Sequence, residues 1–224
     1  MTTATRRFER IPRQRVDKFA ERQVELAEAA LQTLADLGYA RTSLREIANN
    51  SEFTHGVLHY YFHDKVDLIL CGVRQYKARC VTRYDQVTAD ATSYDELMDG
   101  FLAGLADTMR DEARMHRLWY DLRAQSLFEE AFRPDVAEID KSLENMVWRV
   151  VSRFAELTGR PQPLPPSVCY AMLDGLFQQY LIKHLSGDRN AIDDMKANVR
   201  LVLLQVTGEQ ESVSVAPAKR RLTR

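Results

Sequence analysis

Hydrogen-bonding side chains are concentrated in one short segment of the 224-residue chain, THGVLHYYFHDK at residues 54–65. Its three histidines, His55, His59 and His63, recur every four residues, so a helix would place them on one face. Such a row can bind a transition metal. It can equally donate hydrogen bonds to DNA bases and phosphates. Because no cysteine or carboxylate stands in an obvious supporting position, we expect no metal here.

Acid–base catalysis is a second interpretation of the histidines. His59 with Asp64, or His116 with Asp121, could act as an acid and a base. No nucleophile motif, glycine-rich phosphate loop or nucleotide fingerprint accompanies either pair. We therefore expect neither an enzyme nor a cofactor. A DNA-independent adaptor that binds proteins through its C-terminal helices is another alternative, which sequence-specific retardation of DNA would exclude.

The segment at 54–65 follows a pattern of short, separately capped helices. Ser43 and Glu46 form a capping box that starts a short helix ending near Asn50. Thr54 is the N-cap of a second short helix that ends near Tyr61. Two short helices joined by a brief break make a helix-turn-helix, whose second helix can enter the major groove of DNA.

Helical periodicity continues through almost the whole chain, so the sequence predicts an all-α fold without strands. Gly38 and Gly159 are expected to end the first and seventh helices. The nine predicted helices span about residues 17–37, 44–50, 54–61, 64–87, 93–109, 112–127, 134–158, 167–185 and 190–206.

The stretch from residue 17 to residue 70 resembles the TetR family of transcriptional regulators. The matching residues are Ala29, Ala30, Gly38, Tyr39, Thr42, Ser43, Ile47, Ala48, Thr54, Gly56, Leu58, Tyr61, Phe62, Lys65 and Leu68. Two positions depart from the pattern, since Glu52 replaces the usual turn glycine and His59 the usual first tyrosine. The resemblance implies a nine-helix architecture and a homodimeric, ligand-responsive repressor that a small organic molecule releases from operator DNA.

Four regions follow from the resemblance and the helical pattern: a basic arm (1–16), a helix-turn-helix domain (17–65), a ligand-binding and dimerisation domain (66–207) and a disordered basic tail (208–224). Helix N-termini, exposed early positions and phosphate anchors define the expected DNA contacts. These contacts are Ser43, Thr54, His55, Gly56, Val57, His59, Tyr60, Tyr61 and Lys65.

The expected effector site consists of aromatic and polar residues on otherwise apolar helices. Its candidates are Trp119, Tyr120, Arg123, Tyr170, Asp174, Phe177 and Gln178. An internal pair with Arg123 or a dimer contact would explain the same residues without a ligand. By resemblance the eighth and ninth helices form the dimer surface, and we expect the same stripe to contribute to the intramolecular core as well. The dimer candidates are Ile192, Met195, Val199 and Leu203.

The net charge of −1, from 31 basic and 32 acidic side chains, argues at first sight against DNA binding. The charges are unevenly distributed, however, since residues 1–22 hold seven basic and three acidic groups. We therefore expect the arm to supply phosphate attraction through Arg6, Arg7, Arg10, Arg13 and Arg15.

The three cysteines form no C-x-x-C pair and are interpreted as small buried residues. No apolar run is long enough to cross a membrane, so we expect a cytoplasmic protein.

Overall fold

The computed structural model describes the backbone of residues 10–207 and the side chains of residues 18–207. Within these residues nine α-helices, one short 3-10 turn (Glu130–Phe132) and no strands occur, which confirms the all-α prediction. The α-helices are α1 (Arg10–Leu37), α2 (Leu44–Asn49), α3 (His55–Tyr61), α4 (Lys65–Cys80), α5 (Asp85–Asp90), α6 (Tyr94–Gln125), α7 (Arg133–Thr158), α8 (Pro166–Leu185) and α9 (Ala191–Thr207).

The short helices begin at the residues that the sequence predicts. The Ser43 hydroxyl accepts the Glu46 amide at 3.2 Å, and the Glu46 carboxylate accepts the Ser43 amide at 2.9 Å. Thr54 caps α3 by accepting the Val57 amide at 3.3 Å. Gly38, after α1, has a φ of +78°, a left-handed conformation that penalises any Cβ. Local capping chemistry therefore defines the helix-turn-helix.

Two predicted boundaries after the helix-turn-helix are wrong. The helix expected over 64–87 ends at Cys80, and the short α5 follows it. The break expected between residues 109 and 112 is only a kink in the continuous α6, with Glu112 at φ −124° and ψ 18°. No glycine or proline lies there to stop the helix.

Helix α1 begins at Arg10 rather than Asp17, with Pro12 in its first turn, where the missing amide hydrogen is tolerated. The arm residues Arg10, Arg13 and Arg15 thus lie on α1, and their side chains are outside the described residues. The rest of the predicted arm, including Arg6 and Arg7, and the predicted tail at 208–224 also lie outside the described residues.

Helix α4 lies directly against α1. A Cβ placed on Gly72 would stand 2.7 Å from Leu31 Cγ and 3.0 Å from the Ala27 carbonyl oxygen, so only glycine permits this approach. Helices α2 and α3 cover the other part of α1, with Ile47 and Leu58 completely buried. The three-helix unit is therefore rigidly attached to α4.

Helices α6, α7, α8 and α9 pack together into the larger part of the molecule. The predicted dimer residues Met195, Val199 and Leu203 are each no more than 1% exposed within a single chain, and Ile192 is half-buried. This stripe of α9 therefore forms intramolecular core. None of the helices in the described part of the chain is long and apolar enough to cross a membrane.

Candidate DNA-binding surface and effector cavity

Helix α3 presents a row of hydrogen-bonding groups to solvent. His55, Gly56 and His59 are exposed, and Tyr60 is 72% exposed. A Cβ on Gly56 would meet nothing within 4 Å, so the backbone there is open to close approach. The helix-capping residues Ser43 and Thr54 are exposed as well. Six of the nine predicted DNA contacts therefore lie on the surface.

The other three predicted contacts are half-buried. Val57 and Tyr61 pack against the core, and the Tyr61 ring lies 4.7 Å from the Phe19 ring. Lys65 Nζ donates a hydrogen bond to the Tyr39 carbonyl at 3.2 Å and lies 3.9 Å above the Tyr39 ring. The structure thus assigns Lys65 a contact within the fold, where the sequence suggested a free phosphate anchor.

The histidine row is a pair rather than a triplet. His55 Nε2 and His59 Nε2 lie 3.1 Å apart and can share one hydrogen bond, with one ring donating and the other accepting. His63 uses its backbone amide to donate to Asp67. Among the described residues, no cluster of three potential metal ligands includes either ring of this pair.

A cavity of about 80 Å³ lies between α4, α6, α7 and α8. This volume is several times the roughly 10–15 Å³ that one water molecule needs. Five of the predicted effector residues line it: Trp119, Tyr120, Tyr170, Asp174 and Phe177. Arg123 lies behind the wall, where it pairs with Asp174 and with Asp140, the latter at 3.2 Å.

Gln178 is exposed and does not line the cavity. The sequence suggested that it shares a face with Asp174, since the two are four residues apart. Four residues turn an α-helix by about 40° beyond one full turn. At the edge of a narrow cavity this rotation is enough to turn Gln178 towards solvent.

Sequence reasoning missed the cavity residues that α4 and the following turn contribute: Lys77, Cys80, Arg83 and Tyr84. The sequence does contain a pattern that could have identified Lys77. It lies four and eight residues after Val73 and Ile69, which are buried on the same helix. A lysine in the apolar stripe of a helix must either be paired or line an internal space.

Lys77 is 2% exposed and has no hydrogen bond or ion pair to any described residue. Its Nζ lies 4.9 Å from the centre of the Trp119 ring. Burial lowers the pKa of Lys77 to about 8, because the protonated amine loses its hydration. At neutral pH the cavity therefore contains a desolvated positive charge.

Two further polar groups of the cavity wall lack a partner among the described residues, namely His116 Nε2 and Trp119 Nε1. Burial, together with the charge of Lys77, lowers the pKa of His116 well below its ordinary value. The imidazole is therefore neutral at pH 7, and the indole N–H can only donate.

The two carboxylates near the cavity are already paired. Glu112 accepts hydrogen bonds from Arg83 at 2.6 Å and from the Tyr76 hydroxyl. Asp174 accepts from the Tyr120 hydroxyl at 2.9 Å and from Arg123. Neither acid forms an ion pair with Lys77.

One stretch of α6 touches both the cavity and the helix-turn-helix unit. On one side His116, Trp119 and Tyr120 line the cavity. On the other side Asp121 accepts the Tyr39 amide at 2.9 Å, and Arg117 donates to the Ala35 carbonyl. This stretch of α6 therefore connects the cavity wall to the end of α1.

An exposed, capped helix-turn-helix joined to an all-helical body with an internal cavity defines a DNA-binding transcriptional regulator. Residues 26–70 match the family model of bacterial regulatory proteins of the tetR family. Together with the sequence and fold relatives below, this match points to a TetR-family transcriptional regulator of the DNA-binding repressor type.

Two curated regulators are similar in sequence. The HTH-type transcriptional regulator BetI of Stenotrophomonas maltophilia is 25% identical over 162 residues, covering 70% of this chain and 79% of BetI. The HTH-type transcriptional repressor KstR2 of Mycolicibacterium smegmatis is 24% identical over 144 residues, covering 52% of this chain and 70% of KstR2.

Two solved structures share the fold. FadR of Bacillus subtilis, in complex with stearoyl-CoA, has a TM-score of 0.62 at 18% identity, covering 85% of this chain and all of FadR. A TetR transcription regulator of Haloarcula marismortui has a TM-score of 0.66 at 17% identity, covering 85% of this chain and 98% of that regulator.

Proposed function

We propose that this protein is a homodimeric repressor that binds operator DNA through α3 and is released when a small organic effector fills the cavity. Residues 17–65 would bind DNA, and residues 66–207 would bind the effector and form the dimer. The observation that carries the proposal is the double contact of α6 with the cavity and with α1.

The exposed face of α3 supports sequence-specific contacts with DNA. The imidazole rings of His55 and His59 and the hydroxyl of Tyr60 offer donors and acceptors that match base edges and phosphates. The open space at Gly56 allows the backbone to approach a phosphate. The basic residues of α1's first turns and of the preceding arm would add attraction to phosphate, as the sequence predicts.

A different face of the C-terminal helices supports the dimer. Helix α8 has apolar residues on every side, and Ile182 is 61% exposed, with Val168 and Met172 partly exposed on the same side. Leu201 of α9 is 59% exposed. A helix that is apolar all round needs a covering partner. A second copy that contributes the same face would form a closed two-fold dimer.

The release step follows from the contacts of α6. An effector that binds better when the cavity wall is displaced shifts the population towards that state. The displacement would change the Asp121–Tyr39 and Arg117–Ala35 hydrogen bonds, and hence the angle of α3 in each protomer. In a dimer, a small change of angle separates two recognition helices from successive major grooves.

Operator selection tests the proposal. Selection from random DNA, followed by gel retardation, should yield a site with two related half-sites about one helical turn apart. Tyr60→Ala should change the preferred bases, because its hydroxyl and ring lie on the exposed face of α3. Phe128→Ala, an equally exposed aromatic far along the chain, is the matched control. Retardation without sequence preference, or a single half-site, would contradict the proposal.

A further inference from the structure

Lys77 is a charged side chain of the cavity wall that forms no ion pair with any described residue. Arg83 is paired with Glu112, and Arg123, behind the wall, is paired with both Asp174 and Asp140. Lys77 remains without an anionic partner among the described residues, although it is almost completely buried. A buried, unpaired charge is costly to a protein, so an occupant that neutralises it gains the corresponding stabilisation on binding.

The unpartnered hydrogen-bonding groups lie around the same charge. Lys77 can donate three hydrogen bonds, Trp119 Nε1 can donate one, and the ring of Trp119 lies under the Lys77 amine. His116 Nε2, also unpartnered, completes the polar end of the cavity. A site with three ammonium donors and an indole donor, and with its carboxylates already paired, suits an acceptor-rich, negatively charged group.

Much of the remaining cavity wall is apolar. Phe101 and Leu105 of α6, Leu143 and Val147 of α7 and Leu173 of α8 contribute side chains without hydrogen-bonding groups. Polar groups of the occupant would be left unsatisfied against this part of the wall. The cavity thus has a polar part near Lys77 and an apolar part.

A metal ion is the competing occupant. Potential ligand atoms of Cys80, Glu112 and His116 lie within 4.8 Å of one another. However, both Glu112 oxygens already accept hydrogen bonds, one from Arg83 and one from Tyr76. A divalent cation at this position would also face the charge of Lys77, so the arrangement favours an anion.

We propose that the effector is a compact organic acid, whose single carboxylate binds Lys77 with help from the indole N–H of Trp119 and the ring of His116. Its hydrocarbon part packs against the apolar end of the cavity. The inference rests on the proposed function only in calling this ligand the effector. Binding of the acid itself is a property of the cavity and is measured without DNA.

Calorimetric titration of the full chain tests the anion site. The ligands are benzoate, phenylacetate and the straight-chain acids from butanoate to decanoate, each compared with its neutral amide. We expect at least one acid to bind, and its amide to bind more weakly. In Lys77→Met the affinity for that acid should fall by about 10- to 100-fold, as for loss of a charged hydrogen bond. Lys141→Met, which removes an exposed lysine of α7, should bind like the wild type.

Several results would overturn the assignment. It fails if no acid in the series binds, if amides bind as tightly as acids, or if Lys77→Met retains full affinity in a protein with an unchanged circular dichroism spectrum. Binding of Zn²⁺ that His116→Phe abolishes, without acid binding, would assign the cavity to a metal instead. Trp119→Phe, which keeps a ring but loses the N–H, should reduce acid affinity without affecting the amides.

Operator release is measured separately, so the two proposals can fail independently. An acid that binds through Lys77 but leaves the operator complex intact would refute ligand-induced release and leave the anion site standing. A neutral or cationic compound that releases the operator, with no acid doing so, would refute the organic-acid effector and leave the repressor mechanism standing.

Discussion

Replacing Lys77 by methionine should make the protein more stable at neutral pH. The two side chains are similar in length, and methionine carries no charge to desolvate. The pKa of Lys77 falls from 10.5 to about 8 on folding. Each pKa unit corresponds to about 1.4 kcal/mol, so the buried charge costs about 3 kcal/mol at pH 7, where it is protonated in both states. Lys77→Met should raise the free energy of unfolding by up to that amount.

The extra stability of Lys77→Met over the wild type should decrease as the pH rises. Between about pH 8 and 10.5 the folded amine has lost its proton while the unfolded amine keeps it. The unfolded state then binds more protons, so wild-type stability gains from this group as pH rises. Lys77→Met lacks this contribution, and its advantage over the wild type should shrink from pH 7 towards pH 10. Groups that do not interact with Lys77 contribute equally in both proteins and cancel in the difference.

Urea unfolding followed by circular dichroism, at pH values from 7 to 10 and at equal protein concentration, measures this difference. Lys141→Met is the control, because its side chain is 65% exposed and should show no pH-dependent gap. If Lys77→Met were less stable than the wild type, by an amount independent of pH, Lys77 would have a stabilising partner. The account of an unpaired cation in the cavity would then be refuted.

Three further predictions concern packing, assembly and acid stability. Gly72→Ala should lower the free energy of unfolding by about 1–3 kcal/mol in urea titrations, since its Cβ would overlap α1, whereas Gly56→Ala should not. Ile182→Glu should give a monomer in analytical ultracentrifugation, and Leu127→Glu, which is even more exposed and lies in a turn, should not. Because burial lowers the pKa of His116, the unfolded state binds more protons below about pH 6.5, so stability should fall there. His116→Phe should lose less stability than the wild type between pH 7 and pH 5; an equal loss would contradict this assignment.

The helix-turn-helix could be predicted because its signals are local. The capping contacts of Ser43 and Thr54 join residues only three apart in the chain, and the structure forms both. The left-handed turn at Gly38 is likewise fixed by one residue type. Such features depend little on the remainder of the fold, so a single sequence suffices to recognise them.

The cavity and the dimer face could not be predicted to the same degree, because they depend on contacts between distant segments. Periodicity identifies the stripe of Met195, Val199 and Leu203 but cannot distinguish a covering helix of the same chain from one of a second copy. Lys77 meets Trp119 only because α4 and α6, 42 residues apart at this point, pack side by side. The charge that distinguishes this cavity therefore arises from tertiary packing.

The packing of α4 also indicates which parts of the molecule move together when an effector binds. The α4 backbone at Gly72 is in such close contact with α1 that a Cβ there would overlap it, so α4 cannot slide along α1 without a clash. The contacts of α6 with the end of α1 include polar ones: Asp121 accepts from the Tyr39 amide, and Arg117 donates to the Ala35 carbonyl. A ligand that displaces Lys77 would therefore move α1 to α4 as one body, with the hinge at the junction with α6. Under the proposed release mechanism, the unit that reorients on DNA would be residues 10–80, beyond the boundary at residue 65 that the sequence suggests.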